Sequence, residues 1–129
     1  MMKREHLTDA VICRENEDAL EVAKILRDTQ RRHLIVLDSK DKPVGVISTV
    51  DINNRVVAEE KDPKKTKAKD IMTKNIAIAS IEDSYDKAYQ TMAKLGTNSI
   101  PVIKDGKLVG MLEFMAAFRL KELTGGGKK

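Results

Sequence analysis

The stretch Leu34-Ile35-Val36-Leu37, a charged turn and then Pro43-Val44-Gly45-Val46-Ile47 returns later in the chain as Ile100-Pro101-Val102-Ile103, a turn, and Leu108-Val109-Gly110-Met111-Leu112. The copies lie about 65 residues apart, and self-similarity at a fixed period decides an architecture before any single motif is read. In the second copy the turn is Lys104-Asp105-Gly106-Lys107, where Asp-Gly suits a tight hairpin because glycine accepts positive φ. The first turn, Asp38-Ser39-Lys40-Asp41-Lys42, is one residue longer. Each half therefore holds a β-hairpin of short, nearly continuous apolar strands, which implies burial on both faces.

Outward from each hairpin the pattern also repeats. Upstream, Ala19, Val22, Ala23 and Leu26 fall at helical spacing in the first half, as do Tyr85, Ala88, Tyr89 and Met92 in the second. Ser80-Ile81-Glu82-Asp83 reads as a capping box for the second helix. A short apolar stretch precedes each helix, Ala10-Val11-Ile12-Cys13 or Ile76-Ala77-Ile78-Ala79, and a further helix follows each hairpin, over roughly Val50 to Glu59 and Phe114 to Leu123.

The fold class expected is thus α/β (α+β), a β-α-β-β-α unit occurring twice. The first repeat covers 7–60, a charged linker containing Pro63 covers 61–68, the second repeat covers 69–123, and 124–129 is a flexible Gly-rich tail. A unit of this size cannot cover its own apolar sheet face. Packing the copies sheet to sheet with approximate two-fold symmetry covers it and creates two clefts of the kind that hold ligands.

Composition narrows the function classes. Of 129 residues 34% are charged, above the roughly 25% of an average soluble protein, so the surface is wet. The net charge of +4 favours anionic partners in general, but the basic residues are spread out except at Arg31-Arg32-His33 and from Lys61 to Lys69. With no Trp, two Tyr and two Phe, there is no stacking platform for single-stranded nucleic acid. A nucleic-acid role would rest on the Lys61–Lys69 stretch alone. Cys13 is the one cysteine, so an internal disulfide is excluded and a reducing cytoplasm fits. No apolar run approaches the roughly 20 residues of a membrane helix.

Catalytic signatures are missing too. His6, His33 and Cys13 are the only His and Cys residues, and no His-Glu-x-x-His, P-loop or Gly-x-Gly-x-x-Gly string occurs. Cys13 lies in an apolar strand and reads as an inert buried thiol, and Met72 and Met92 as core filler. A non-enzymatic protein is expected, with no obligatory cofactor and no metal.

Three segments then carry a family resemblance. Lys69-Asp70-Ile71-Met72-Thr73 resembles the opening segment of the CBS domain, named after cystathionine β-synthase. Gly45-Val46-Ile47-Ser48-Thr49-Val50-Asp51 is similar to the family's Gly-x-x-Ser/Thr-x-x-Asp signature, and Ile100-Pro101-Val102-Ile103 to its Pro-Val strand. Their order and duplication over about residues 7 to 123 resemble the tandem pair called a Bateman module. The resemblance implies a regulatory module that binds AMP, ADP, ATP or S-adenosylmethionine between its repeats. It also implies a homodimer, as a flat disc of four repeats, that acts on an enzyme or transporter. A ligand-free dimerising scaffold docking on an enzyme or transporter, or a nucleic-acid-binding member of the family, is the alternative. Almost no chain remains for an effector domain, so a stand-alone module is implied.

By that resemblance the hydroxyl at Ser48 contacts phosphate and Asp51 holds the ribose. The chemistry agrees, since a helix N-terminus offers unpaired amides to an anion and a carboxylate accepts two hydrogen bonds from a diol. Read without the family, Ser48-Thr49-Val50-Asp51 is a helix capping box, and the two roles coexist. The resemblance places an adenine slot between Ile47 and Ile76-Ala77-Ile78, and phosphate-reaching residues at Arg32-His33 and at Asn98-Ser99. Ordinary buried strand and solvated turn are the alternatives at these positions. In the second copy Glu113 falls where Ser48 sits and Ala116 where Asp51 sits. Ala116 cannot hold a ribose and Glu113 would repel a phosphate, so one competent cleft per chain is expected.

Overall fold

The computed structural model describes residues 1–124; most of the stretch read as a flexible tail lies outside the described residues. The chain forms two compact units, Val11–Ile76 in one and Met1–Ala10 joined to the chain from Ala77 onward in the other.

The first unit runs β1 (Ile12–Arg14), α1 (Ala19–Thr29), β2 (His33–Leu37), β3 (Pro43–Ser48), α2 (Thr49–Ile52) and α3 (Ala68–Ile71), with a π-helical turn over Asn53–Val57 extending α2. The strands form a sheet in the order β1-β2-β3, parallel between β1 and β2 and antiparallel between β2 and β3. The parallel pair is what α1 makes possible, because such a crossover needs about a dozen residues. Asp18 caps α1, its side chain accepting from Glu21 N–H. Val22 and Leu26 pack from α1 onto Leu34, Val36 and Ile47 of the sheet. Central strand β2 is buried at Leu34, Ile35, Val36 and Leu37 in succession, whereas β3 alternates buried with half-buried residues. In this unit burial on both faces therefore holds for the middle strand and not for the edge strand β3.

The second unit repeats the plan with β4 (Ala79–Ser80), α4 (Tyr85–Leu95), β5 (Ser99–Lys104), β6 (Lys107–Glu113) and α5 (Phe114–Leu123). The sheet order is β4-β5-β6. Asp105 and Gly106 both take positive φ, 52° and 81°, the conformation that the Asp-Gly hairpin requires. In the first unit Asp38 Oδ1 accepts from the amides of Lys40 and Lys42 to close the longer turn.

Three details depart from the sequence reading. The cap of α4 is Ser84, whose Oγ accepts from Lys87 N–H, while Ser80 and Asp83 close a turn ahead of it. The strand expected from Ile76 shrinks to Ala79–Ser80. The helix expected to run to Glu59 is one α turn followed by a π turn and a loop.

Each unit also recruits a segment that precedes the other repeat. Thr73 exchanges backbone hydrogen bonds with Val46 of β3, at 2.8 and 3.0 Å, and Thr8 does so with Met111 of β6, at 2.8 Å each way. Glycine permits both approaches: a Cβ at Gly45 would collide with Met72, and one at Gly110 would lie 2.9 Å from Leu7 Cβ. The charged stretch 61–68 belongs to the first unit. Ala19 and Leu20 amides donate to Thr66 and Pro63 carbonyls, and Ala68 and Thr66 are buried.

Candidate functional site

The register of β2 with β3 places His33 opposite Ser48, and Thr49 N–H donates to the Arg32 carbonyl at 2.8 Å. Strand pairing thereby brings Arg32, His33, Ser48 and Asp51 to one end of one sheet, at the point where β3 turns into α2. The exposed side chains of Arg32 and His33 flank this turn.

Ser48 and Asp51 close a reciprocal capping box. Asp51 N–H donates to Ser48 Oγ at 3.2 Å, and Asp51 Oδ2 accepts from Ser48 N–H at 2.8 Å and from Ser48 Oγ–H at 3.2 Å. Oδ1 is left with Arg55, whose Nε stands 3.7 Å away. Among the described residues Oδ1 accepts no hydrogen bond. The Asp51 side chain is 14% exposed, and Oδ1 keeps acceptor capacity unspent.

The phosphate half of the expectation is less well furnished. Two first-turn amides are already engaged, Thr49 with Arg32 and Asp51 with Ser48. The Ser48 hydroxyl both donates and accepts within the box. Ile47 is fully buried in the core of its unit, so its side chain serves packing. Ile76 ends the first unit, and Ala77 and Ile78 begin the second ahead of β4, all three half-buried and outside any strand.

The second unit has the same backbone and different chemistry. Phe114 N–H donates to the Asn98 carbonyl at 2.8 Å and Ser99 pairs with Glu113, matching the bonds at Thr49 and His33. Glu113 makes no side-chain cap. Phe114 stacks on Tyr89 with ring centres 5.0 Å apart, Phe118 lies 5.7 Å from Tyr89, and Lys121 Nζ sits over both Tyr89 and Phe118. This aromatic and cationic cluster joins α5 to α4, and at the position of Asp51 the second unit has only Ala116.

Sequence reading missed Arg55. Its Nη1 donates to the carbonyls of Ile71 at 2.8 Å and Met72 at 3.2 Å. The available signal was in the repeat comparison, where Leu120 takes the place of Arg55 just as Ala116 takes that of Asp51. Among the described residues, no three His, Cys, Asp or Glu side chains gather as a metal site, and no helix is long and apolar enough to cross a membrane.

The β-α-β-β-α unit thus occurs twice, with the Ser/Asp cap at the end of the last strand in the first copy only. The chain belongs to the CBS-domain family, whose model matches twice, over residues 2–58 and 68–115. It is similar to an uncharacterized protein of Methanopyrus kandleri, 28% identical over 81% of this chain and 54% of that protein. A homoserine O-acetyltransferase of Methanococcus vannielii is also 28% identical, over 76% of this chain and 20% of its own length. The chain therefore spans about half or less of these curated relatives. Among solved structures, a CBS domain pair in complex with 5′-methylthioadenosine and S-adenosyl-L-methionine is 27% identical, with a TM-score of 0.70 and coverage of 100% of this chain and 98% of that one. Hypoxic Response Protein I, solved with two coordinated zinc ions, shares the fold at 22% identity and a TM-score of 0.78, over 92% of this chain and 98% of that one.

Proposed function

We propose that this chain is a non-catalytic regulatory module that binds an adenosyl compound, whether AMP, ADP, ATP or S-adenosylmethionine, through its ribose at Asp51. The carboxylate geometry carries the reading. Ser48 holds one oxygen of Asp51 while the other keeps its lone pairs for a diol. The solved CBS pair bound to 5′-methylthioadenosine and S-adenosyl-L-methionine supports it, since both ligands share the adenosyl group. Arg32 and His33 beside the turn supply positive or hydrogen-bonding groups for the remainder of the ligand. The module acts in the cytoplasm, as a homodimer, on an enzyme or transporter.

Calorimetric titration with AMP, ATP, S-adenosylmethionine and 5′-methylthioadenosine tests this. At least one binds the wild type, and Asp51→Ala removes the binding. Failure of all four to bind the wild type sinks the adenosyl reading, and equal binding by Asp51→Ala sinks the ribose contact.

Exposed apolar side chains on the helices, Val50 at 61%, Met115 at 65% and Phe118 at 45%, favour a second reading as a docking scaffold. In that case partner binding is indifferent to Asp51→Ala and to every adenosyl probe.

A further inference from the structure

Arg55 stands on the π turn and reaches in two directions. Nη1 donates to the carbonyls of Ile71 and Met72 at the end of α3, and Nε faces Asp51 Oδ1 at 3.7 Å. That separation is an ion pair too long for a hydrogen bond. It orients the carboxylate by charge and leaves the lone pairs of Oδ1 unfilled. Thr73, next after Met72, is bonded both ways to Val46, and Val46 lies on the strand that ends at Ser48. The connections close a ring: β3, Ser48, Asp51, Arg55, the end of α3, Thr73 and back to β3.

The duplication provides an internal comparison. The alignment that sets Glu113 on Ser48 sets Ala116 on Asp51 and Leu120 on Arg55, and Leu120 is buried, at 7% exposure. Both members of the ion pair are absent together from the copy that lacks the cap.

We propose that Arg55 is the positioning residue of the Asp51 site, holding the carboxylate with Oδ1 open and coupling its occupancy to the segment Ile71–Thr73. The ligand half rests on the adenosyl reading; the positioning half does not. Hydroxyls donating to Oδ1 withdraw negative charge from Arg55, and the pull of Asp51 against the two carbonyls then weakens. That difference between free and occupied states is what any ligand-driven shift requires.

The test compares wild type, R55M and R55K by amide hydrogen exchange and by titration with S-adenosylmethionine and AMP. Without ligand, Ser48 N–H, which donates to Asp51 Oδ2, exchanges about 1.5- to fivefold faster in R55M, the range that a single ion pair near the surface supplies. R55K restores it, because the charge returns. Thr73 N–H exchanges faster in both variants, because lysine lacks the planar fork that spans two carbonyls. Affinity for the probe that binds wild type falls by a similar factor in R55M and recovers in R55K. Unchanged Ser48 exchange and unchanged affinity in R55M overturn the proposal, even with Thr73 altered, since Arg55 is then only a strut. If neither probe binds the wild type, the adenosyl reading falls for these ligands, and Ser48 exchange alone upholds or overturns the positioning role.

Discussion

Gly45 and Met72 meet so closely that a β-carbon at position 45 would lie 2.5 Å from the Met72 sulfur, 2.8 Å from its Cγ and 3.0 Å from its Cβ. Met72 is buried and the next residue, Thr73, is bonded to β3, so the side chain has little room to retreat. Gly45→Ala is expected to destabilise the protein by about 1–3 kcal/mol, the cost of overpacking. Urea denaturation measures it. Combined with Met72→Ala the loss is less than additive, and strict additivity would show that the two positions are independent.

The cap of α4 separates two serines of similar appearance. Ser84→Ala removes the acceptor of Lys87 N–H and is expected to cost about 1 kcal/mol. Ser80→Ala removes only a turn contact at 3.2 Å with Glu82 N–H and costs less. Thermal melts of the two variants rank them, and the reverse order would return the cap to Ser80.

Tyr85 anchors the leading segment of the second unit. Its hydroxyl accepts from Lys3 N–H at 2.9 Å and pairs with His6 Nδ1 at 2.6 Å, and the residue is 4% exposed. Tyr85→Phe leaves the Lys3 amide without this acceptor and is expected to lower stability by about 1–2 kcal/mol. Hydrogen exchange localises the effect at Lys3 and, across the strand contact, at Thr8; protection unchanged at both argues against an anchoring role.

Burial first, and the nearby Glu17 second, push the Cys13 thiol from 9.0 up to about 12. The thiol is expected to resist alkylation in the native protein at pH 8 and to react on unfolding. The folded state holds this proton more tightly than the unfolded state, so its contribution is fully present below about pH 9 and is lost as the pH rises towards 12. Cys13→Ala should flatten that alkaline decline in stability. A decline of equal steepness in the variant would assign it to other groups.

The hairpins, the Asp-Gly turn and the α-helical faces were legible because neighbouring residues decide them. Tyr85, Ala88 and Met92 lie buried as their spacing required. Ser80 misled because Ser-x-x-Asp fits a turn closed by Asp83 as well as a helix cap, and packing chose the turn. The leading segments were illegible for a different reason: Thr8 finds Met111 across more than a hundred positions, and no local pattern records such a partner. Of the site, Ser48 and Asp51 were named from sequence, whereas Arg55 has the i,i+4 spacing of any surface ion pair. Its carbonyl partners exist only once α3 has docked.

The glycine seats at 45 and 110 bear on how such a chain can be inherited in pieces. Recombination at the repeat boundaries would hand on a hairpin without the segment that sits on its glycine, leaving Val46 or Met111 to face water or a stranger. A cut beside Ala10 and another beside Ile76 keeps each glycine with its occupant. The heritable repeat and the folding body are therefore out of phase by one short segment, and a shuffled or transplanted copy is expected to keep its structure only when the exchange respects the second frame.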